Sequence, residues 1–304
     1  MRKRFKRVIR YFINSIYYLF YNNPIIISAW VDVHKGKIIH RNWGDELNIY
    51  IIESLTQRKV IVENESFLHK IFPPKQKFIC IGSIIGWHES PNAEIWGTGA
   101  MSKSVVISIK PKIIHSVRGK LTRDLLLSQN FDVPQCYGDP ALLLSKIYLP
   151  QITPKYKLGI IPHYVELEIP FIKQFCAEHN DVLLIDLKNY ERWTDIIDLI
   201  NSCKYIISSS LHGLITSDSY NIPNQWVSFS QKWEEDKNFK YYDYFSSVER
   251  NNESCKLIYN KDDLEIYYNS NIFHHCCNPV INFKSIIQSC PFTINNPLLK
   301  SYLL

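Results

Sequence analysis

The sequence predicts an α/β protein of two Rossmann-like halves preceded by a basic amphipathic arm. Three observations carry this. Short apolar runs of strand length (PIIISAW, KFICIGS, SVVISI, KLGIIPHY, DVLLIDL and KYIISSS) alternate with helically spaced stretches at 45–54, 121–129, 170–179 and 193–203, the pattern of parallel sheets covered by helices. The segment YLPQITPKYK at 148–157 carries two prolines and little periodicity, and a new strand starts straight after it. The length, 304 residues, suits two domains with sizeable cores. The expected organisation is an arm at 1–24, a first half at 25–150 and a second at 151–304, whose tail packs back across the first. A ligand is expected in the cleft, facing the C-terminal ends of the strands.

The arm opens MRKRFKRVIR, with six basic residues and no acid. Removing those six from 35 leaves 29, equal to the 29 acidic residues, so the net charge of +6 belongs to the arm. A nucleic-acid-binding body would carry the charge itself, which argues against that class. Phe5, Ile9, Phe12, Ile13, Ile16, Leu19 and Phe20 recur near helical spacing, opposite the basic residues. Such a helix suits a surface lying on anionic lipid, or a helix packed on the body. No small-residue cleavage site follows the apolar part, and YNNP interrupts it well short of the roughly 20 residues a membrane span needs. The eight cysteines form no C-x-x-C pair. HHCC at 274–277 resembles metal chemistry, but adjacent ligands rarely converge on one ion, so packing residues in a reducing cytoplasm are expected and no metal.

Four loops carry candidate chemistry. In RNWGDELNIYIIESL, Asn42 and Gly44 precede Asp45, which fits either a helix cap or a cleft carboxylate. Gly82-Ser83 and Gly97-Thr98-Gly99 end candidate strands, where glycine lets backbone N–H groups approach a ligand. Neither is a G-x-G-x-x-G fingerprint, and a phosphate-loop pattern is absent. In HSVRGKLTRDLLLSQ, Arg118 stands at a strand-to-helix switch and is assigned to the cleft, where its planar fork suits a carboxylate or phosphate; Arg123 is assigned to solvent or a structural ion pair. In KYIISSSLHGLITSDSYNIP, a strand runs into a helix through SSSLHG. The N–H groups there favour an anion, the hydroxyls of Ser209 and Ser210 add donors, and His212 stands beside it as a proton handler. On this loop alone, a core histidine beside serine caps is the favoured reading.

NWGDELN, GS…WGTG, VRGKLTRDLL, YGDPALLL and SSSLHGLITSDSYNIP occur in the order found in the polysaccharide pyruvyl transferase family, and roughly residues 40–245 resemble it, nearest to the ketal-pyruvate transferases of exopolysaccharides. The resemblance implies a glycosyltransferase-B-like fold with an acceptor-side first half and a donor-side second half. It implies transfer of the enolpyruvyl group of phosphoenolpyruvate to two hydroxyls of an oligosaccharide or lipid-linked glycan, with no cofactor beyond that donor substrate. Arg118 matches the family's arginine for phosphoenolpyruvate, and Leu211-His212 its donor-site pair. Many members have arginine before that pair, where this chain has Ser210. Lys232, Lys237 and Lys240 are nearby replacements, and Lys240 is chosen.

The reaction needs a proton for the methylene carbon, a base for the hydroxyls and positive groups for carboxylate and phosphate. His212 and Asp45 are the catalytic candidates. Arg118, Ser209, Ser210, Leu211, Gly213 and Lys240 are assigned to the donor, and Asn42, Gly44 and His163 to the acceptor. The cysteine pattern implies a cytoplasmic location, and a lipid-linked acceptor would set the arm on the inner membrane face. A nucleotide-sugar glycosyltransferase is weakened because no D-x-D occurs and no E-x₇-E follows His212. A non-catalytic binding protein of surface-glycan assembly is the other alternative.

Overall fold

The computed structural model describes residues 2–87, 89–229, 238–269, 278–300 and 302. Lys232, Lys237 and the HHCC cluster lie outside them. The chain begins with α1 (Arg2–Tyr18), β1 (Ile25–Ile27), a hairpin of β2 (Asp32–His34) and β3 (Lys37–Ile39), and α2 (Trp43–Thr56). There follow β4 (Val60–Val62), α3 (Phe67–Ile71), β5 (Lys77–Ile79), β6 (Ala93–Trp96), β7 (Ile113–Ser116), α4 (Lys120–Ser128) and α5 (Leu144–Ile147). The second series is β8 (Tyr156–Ile161), α6 (Pro170–Glu178), β9 (Val182–Leu184), α7 (Trp193–Asn201), β10 (Cys203–Ser208), α8 (Leu211–Ser219) and β11 (Asn224–Ser228). It ends with α9 (Phe239–Ser247), β12 (Lys256–Leu257), α10 (Lys261–Asn269), α11 (Phe283–Gln288) and α12 (Pro297–Lys300).

Two five-stranded parallel sheets result, ordered β4-β1-β5-β6-β7 and β12-β11-β10-β8-β9. In each, strand order reverses beside the first strand: between β1 and β5, and between β8 and β10. Loops leaving the two sides of such a reversal diverge and open a crevice at the C-terminal strand ends. Asp45 and Gly82 therefore belong to one crevice, and His163 and His212 to the other.

The strands β4, β5, β6 and β8 are short, mostly apolar and largely buried, as parallel strands between helices must be, whereas β7 and β12 at the sheet edges are exposed in part or whole. SVVISI at 104–109 is no strand. Side chains take up its backbone N–H groups instead: Ile107 donates to Gln129, and Ser108 and Ile109 donate to the Glu89 carboxylate. The strand expected there is β7, a few residues on, and β11 lies where the composition signalled none.

One apolar core crosses both sheets, joining Ile27, Trp43 and Leu47 to Ile196, Leu211 and Ile215. Trp43 is fully buried at the junction, its indole N–H donating to the Trp193 carbonyl at 2.8 Å. Burying a side chain of about 200 Å² stabilises the junction by roughly 5 kcal/mol. Near the C-terminus, Trp96 donates to the Ile286 carbonyl and the Asn295 N–H donates to Leu55, so residues of α11 and just before α12 contact the first series.

Helix α1 packs on the body by its polar side. Tyr11, Asn14, Ser15 and Tyr18 face inward, and Asn14 bridges the carbonyls of Val33 and Glu65. Arg10 pairs with Asp32 and Glu65 at 2.8 Å. The apolar residues face out, the reverse of the usual amphipathic arrangement.

Candidate functional site

Two helix N-termini from opposite halves meet at His212. Helix α2 starts after Asn42, which makes no side-chain cap bond, and α8 starts after Ser210, which makes none either. First-turn N–H groups lack intrahelical acceptors and carry the positive end of the helix dipole. Gly44 in the first turn of α2 lies flat on the imidazole: a Cβ there would stand 2.0 Å from His212 Nδ1. His212 is 8 % exposed, and its Nε2 has no hydrogen-bond partner. Burial, assisted by the charges of Arg118 and Lys240, pushes its pKa down to about 3, so the imidazole is neutral at ordinary pH.

Asp45 does not cap α2. Glu46 folds back on the residues before the helix, accepting from the N–H groups of Arg41 and Asn42 at 2.6 and 3.0 Å and from the Tyr190 hydroxyl of the other half, which leaves the first turn of α2 without a side-chain cap. Asp45 instead accepts from the Asn42 side chain at 2.5 Å and faces Gly82, whose φ of +113° is left-handed backbone suited to glycine. Asn48 holds α2 to this loop by two bonds to Ile81. Burial raises the Asp45 carboxyl to about 7, with Lys240 and the Asn42 bond opposing the rise. Lys240 in α9 acts electrostatically on both His212 and Asp45, so it belongs to the same cluster.

Most of the expected donor residues are tied into the fold. Arg118 does not face an open cleft. It is fully buried, donating to Asp243 Oδ2 at 2.9 Å, Ser83 Oγ at 2.6 Å and the Ala100 carbonyl at 2.9 Å. Asp243 also accepts from the Thr122 N–H and hydroxyl, so this pair ties α9 to the start of α4. Ser209 has no spare hydroxyl: it donates to Glu166 and accepts from the His163 N–H at 2.8 Å. The Ser210 N–H is taken by Ser208 Oγ at 3.0 Å. Leu211 lies in the shared core. Gly213 sits where a side chain would strike Ser208 Oγ at 2.4 Å. His163, half-buried at the end of β8, has its ring 4.3 Å from that of Tyr164. Arg123 donates to the Val133 carbonyl.

The sequence did not single out three residues that build this region, Asp139, Asp243 and Glu166, and marked Ser83 only as a loop position. Asp139 of YGDPALLL is buried, is raised to about 7, and leaves Oδ2 unpartnered. The glycine and proline flanking it were the available signal. Glu166 and Asp243 meet their partners only through the fold. At the far end of α8, Asp218 accepts from Arg250, Asn224 and Tyr244, fixing the helix that carries His212.

The sequence profile of the polysaccharide pyruvyl transferase family matches residues 110–231, a span holding Arg118, Asp139, His163 and His212. The chain is also similar to the uncharacterized protein L143 of Acanthamoeba polyphaga mimivirus, 34% identical over 239 residues, 75% of this chain and 79% of that protein. Among solved structures, a putative UDP-N-acetylglucosamine 2-epimerase from Listeria monocytogenes aligns at 10% identity and a TM-score of 0.41, over 80% of this chain and 76% of that one. That likeness is too distant to bear on function.

Proposed function

Because this chain belongs to the polysaccharide pyruvyl transferase family, a family of transferases, we propose that it moves the enolpyruvyl group of phosphoenolpyruvate onto two hydroxyls of a glycan, forming a pyruvate ketal. The observation that carries the reading is the buried His212 with an unpartnered Nε2, set between the uncapped starts of α2 and α8. Two positive helix ends and Lys240 are a receptor for a small polyanion.

Donor binding changes the protonation of this cluster. A carboxylate and a phosphate beside His212 favour the imidazolium and raise its pKa. The imidazolium then delivers a proton to the methylene carbon, leaving an oxocarbenium ion. One sugar hydroxyl adds to the adjacent carbon, which bears the carboxylate and the phosphate, while Asp45, with a carboxyl near 7, takes its proton. Phosphate leaves and the second hydroxyl closes the ketal. The methylene gains one hydrogen, the phosphate carries off the other, and no electrons change hands. Lys240 supplies the charge missing at Ser210. Arg118 holds α4 against α9 and contributes its charge from behind the site. Asn42 and Gly44 shape the acceptor side with His163 opposite.

The test is mass spectrometry of free and lipid-linked oligosaccharides after incubation with phosphoenolpyruvate, with phosphate measured in parallel. A glycan that gains a ketal pyruvyl group, with a loss of at least about 10²-fold in His212→Ala, is expected. Nucleotide release from a sugar nucleotide with no phosphate from phosphoenolpyruvate would overturn the reading.

A further inference from the structure

We propose that α1 is a docking element for an anionic bilayer, lying in the membrane surface with its apolar stripe in the acyl boundary. The case rests on how the helix is mounted, independently of the reaction. Its polar side is tied to the body: Asn14 also accepts from the Lys35 N–H at 2.9 Å, Ser15 accepts from the Leu68 N–H at 3.0 Å, and Lys70 stands 3.6 Å over the Tyr11 ring. These bonds fix which side faces water, and it is the apolar one. Phe5, Val8, Ile9, Phe12, Ile16 and Leu19 line it, with Phe5 68 %, Leu19 70 % and the following Phe20 82 % exposed. Helix α3 packs against α1 and adds exposed Ile71 and Phe72. A run of exposed large apolar side chains of this extent along one helix marks an interaction site.

Charge identifies the occupant. Residues 1–24 hold six basic residues and no acid; Arg10 is paired with Asp32 and Glu65, which leaves Arg2, Lys3, Arg4, Lys6 and Arg7 as the cluster. A second copy docked symmetrically would set two such clusters against each other. An anionic headgroup layer neutralises them while the acyl boundary takes the phenylalanines. A helix of 17 residues, about 25 Å long, lies along the surface. Among the described residues no helix is long and apolar enough to cross the bilayer, so docking is in the plane.

The test is flotation of the full chain with phosphatidylcholine vesicles, pure or with about 30% phosphatidylglycerol. The native chain is expected to bind the anionic vesicles at least about tenfold more tightly, and to lose that preference in high salt. Phe12→Ser and Ile16→Ser leave every charge in place and are expected to weaken binding about tenfold each, with unchanged circular dichroism because both sites are exposed. No flotation of the native chain, or native-level flotation of both variants, would overturn the proposal. So would a native dimer that Phe12→Ser splits, with no vesicle binding.

Discussion

Gly44→Ala tests the contact on which the candidate site depends. The new methyl would stand 2.0 Å from His212 Nδ1, 2.3 Å from Cγ and 2.8 Å from Cβ. Ordinary contact needs about 3.5 Å, so the ring and the first turn of α2 must part by about 1.5 Å. Neither yields easily. Trp43 and Glu46 tie α2 to the second half on either side of Gly44, and the Asp218 network fixes α8. Overpacking of this kind costs about 1–3 kcal/mol, against the roughly 1 kcal/mol that alanine contributes over glycine in a helix. The net is a small fall in melting temperature, of a few degrees at most. Turnover is affected far more, because a displacement of about 1 Å at a reacting group costs about 10²-fold. The assay is phosphate release from phosphoenolpyruvate with an acceptor, with thermal unfolding run beside it. His212→Ala opens the space the methyl needs, so Gly44→Ala in that background is expected to lose its stability cost. A Gly44→Ala protein with turnover within about threefold of native would refute the reasoning, since a displacement of about 1 Å should cost far more.

Lys240→Ala is expected to raise KM for phosphoenolpyruvate by about 10–150-fold, the worth of one charged hydrogen bond, with kcat less affected; titration of initial rates checks it. Asp243→Ala strips Arg118 of its counter-charge and α4 of its cap, so a loss of about 3–5 kcal/mol in chemical denaturation is expected. His212 titrates near 6.5 in the unfolded chain and near 3 when folded. Between those values the unfolded chain binds the extra proton, so this histidine destabilises the fold increasingly as pH falls from about 6.5 towards 3. Compared with His212→Gln, the native protein should lose up to about 1.4 kcal/mol per pH unit in that window; a difference flat from about pH 7 to 4 would count against a buried neutral imidazole.

The α/β class was legible because strands buried on both faces read as continuous apolar runs and the helices between them keep their period. The false strand at 104–109 shows the limit: its composition is that of a strand, but Glu89 and Gln129 hold its backbone, and neither is near it in sequence. Helix α8 was legible from SSSLHG because a strand, a polar turn and an apolar helix are local features. The use of each serine was not. Ser209 is spent on Glu166, 43 residues away, and Arg118 on Asp243, 125 residues away. For α1, the period revealed an amphipathic helix but could not say which face is buried, since the bonds of Asn14 and Ser15 come from distant loops.

What the sequence determined alone was therefore local: where chain becomes strand or helix, where an uncapped helix start follows a strand, and that a histidine stands there. Those features depend on neighbours a few residues apart. The tertiary structure decided what His212 touches. It placed Gly44, from a different helix and the other half of the chain, against the imidazole, brought Lys240 within electrostatic reach, and sealed Arg118 behind Asp243. Those relations depend on the core shared by the two sheets, which sets the two switch points against each other, and desolvation there shifts the protonation of His212 and Asp45.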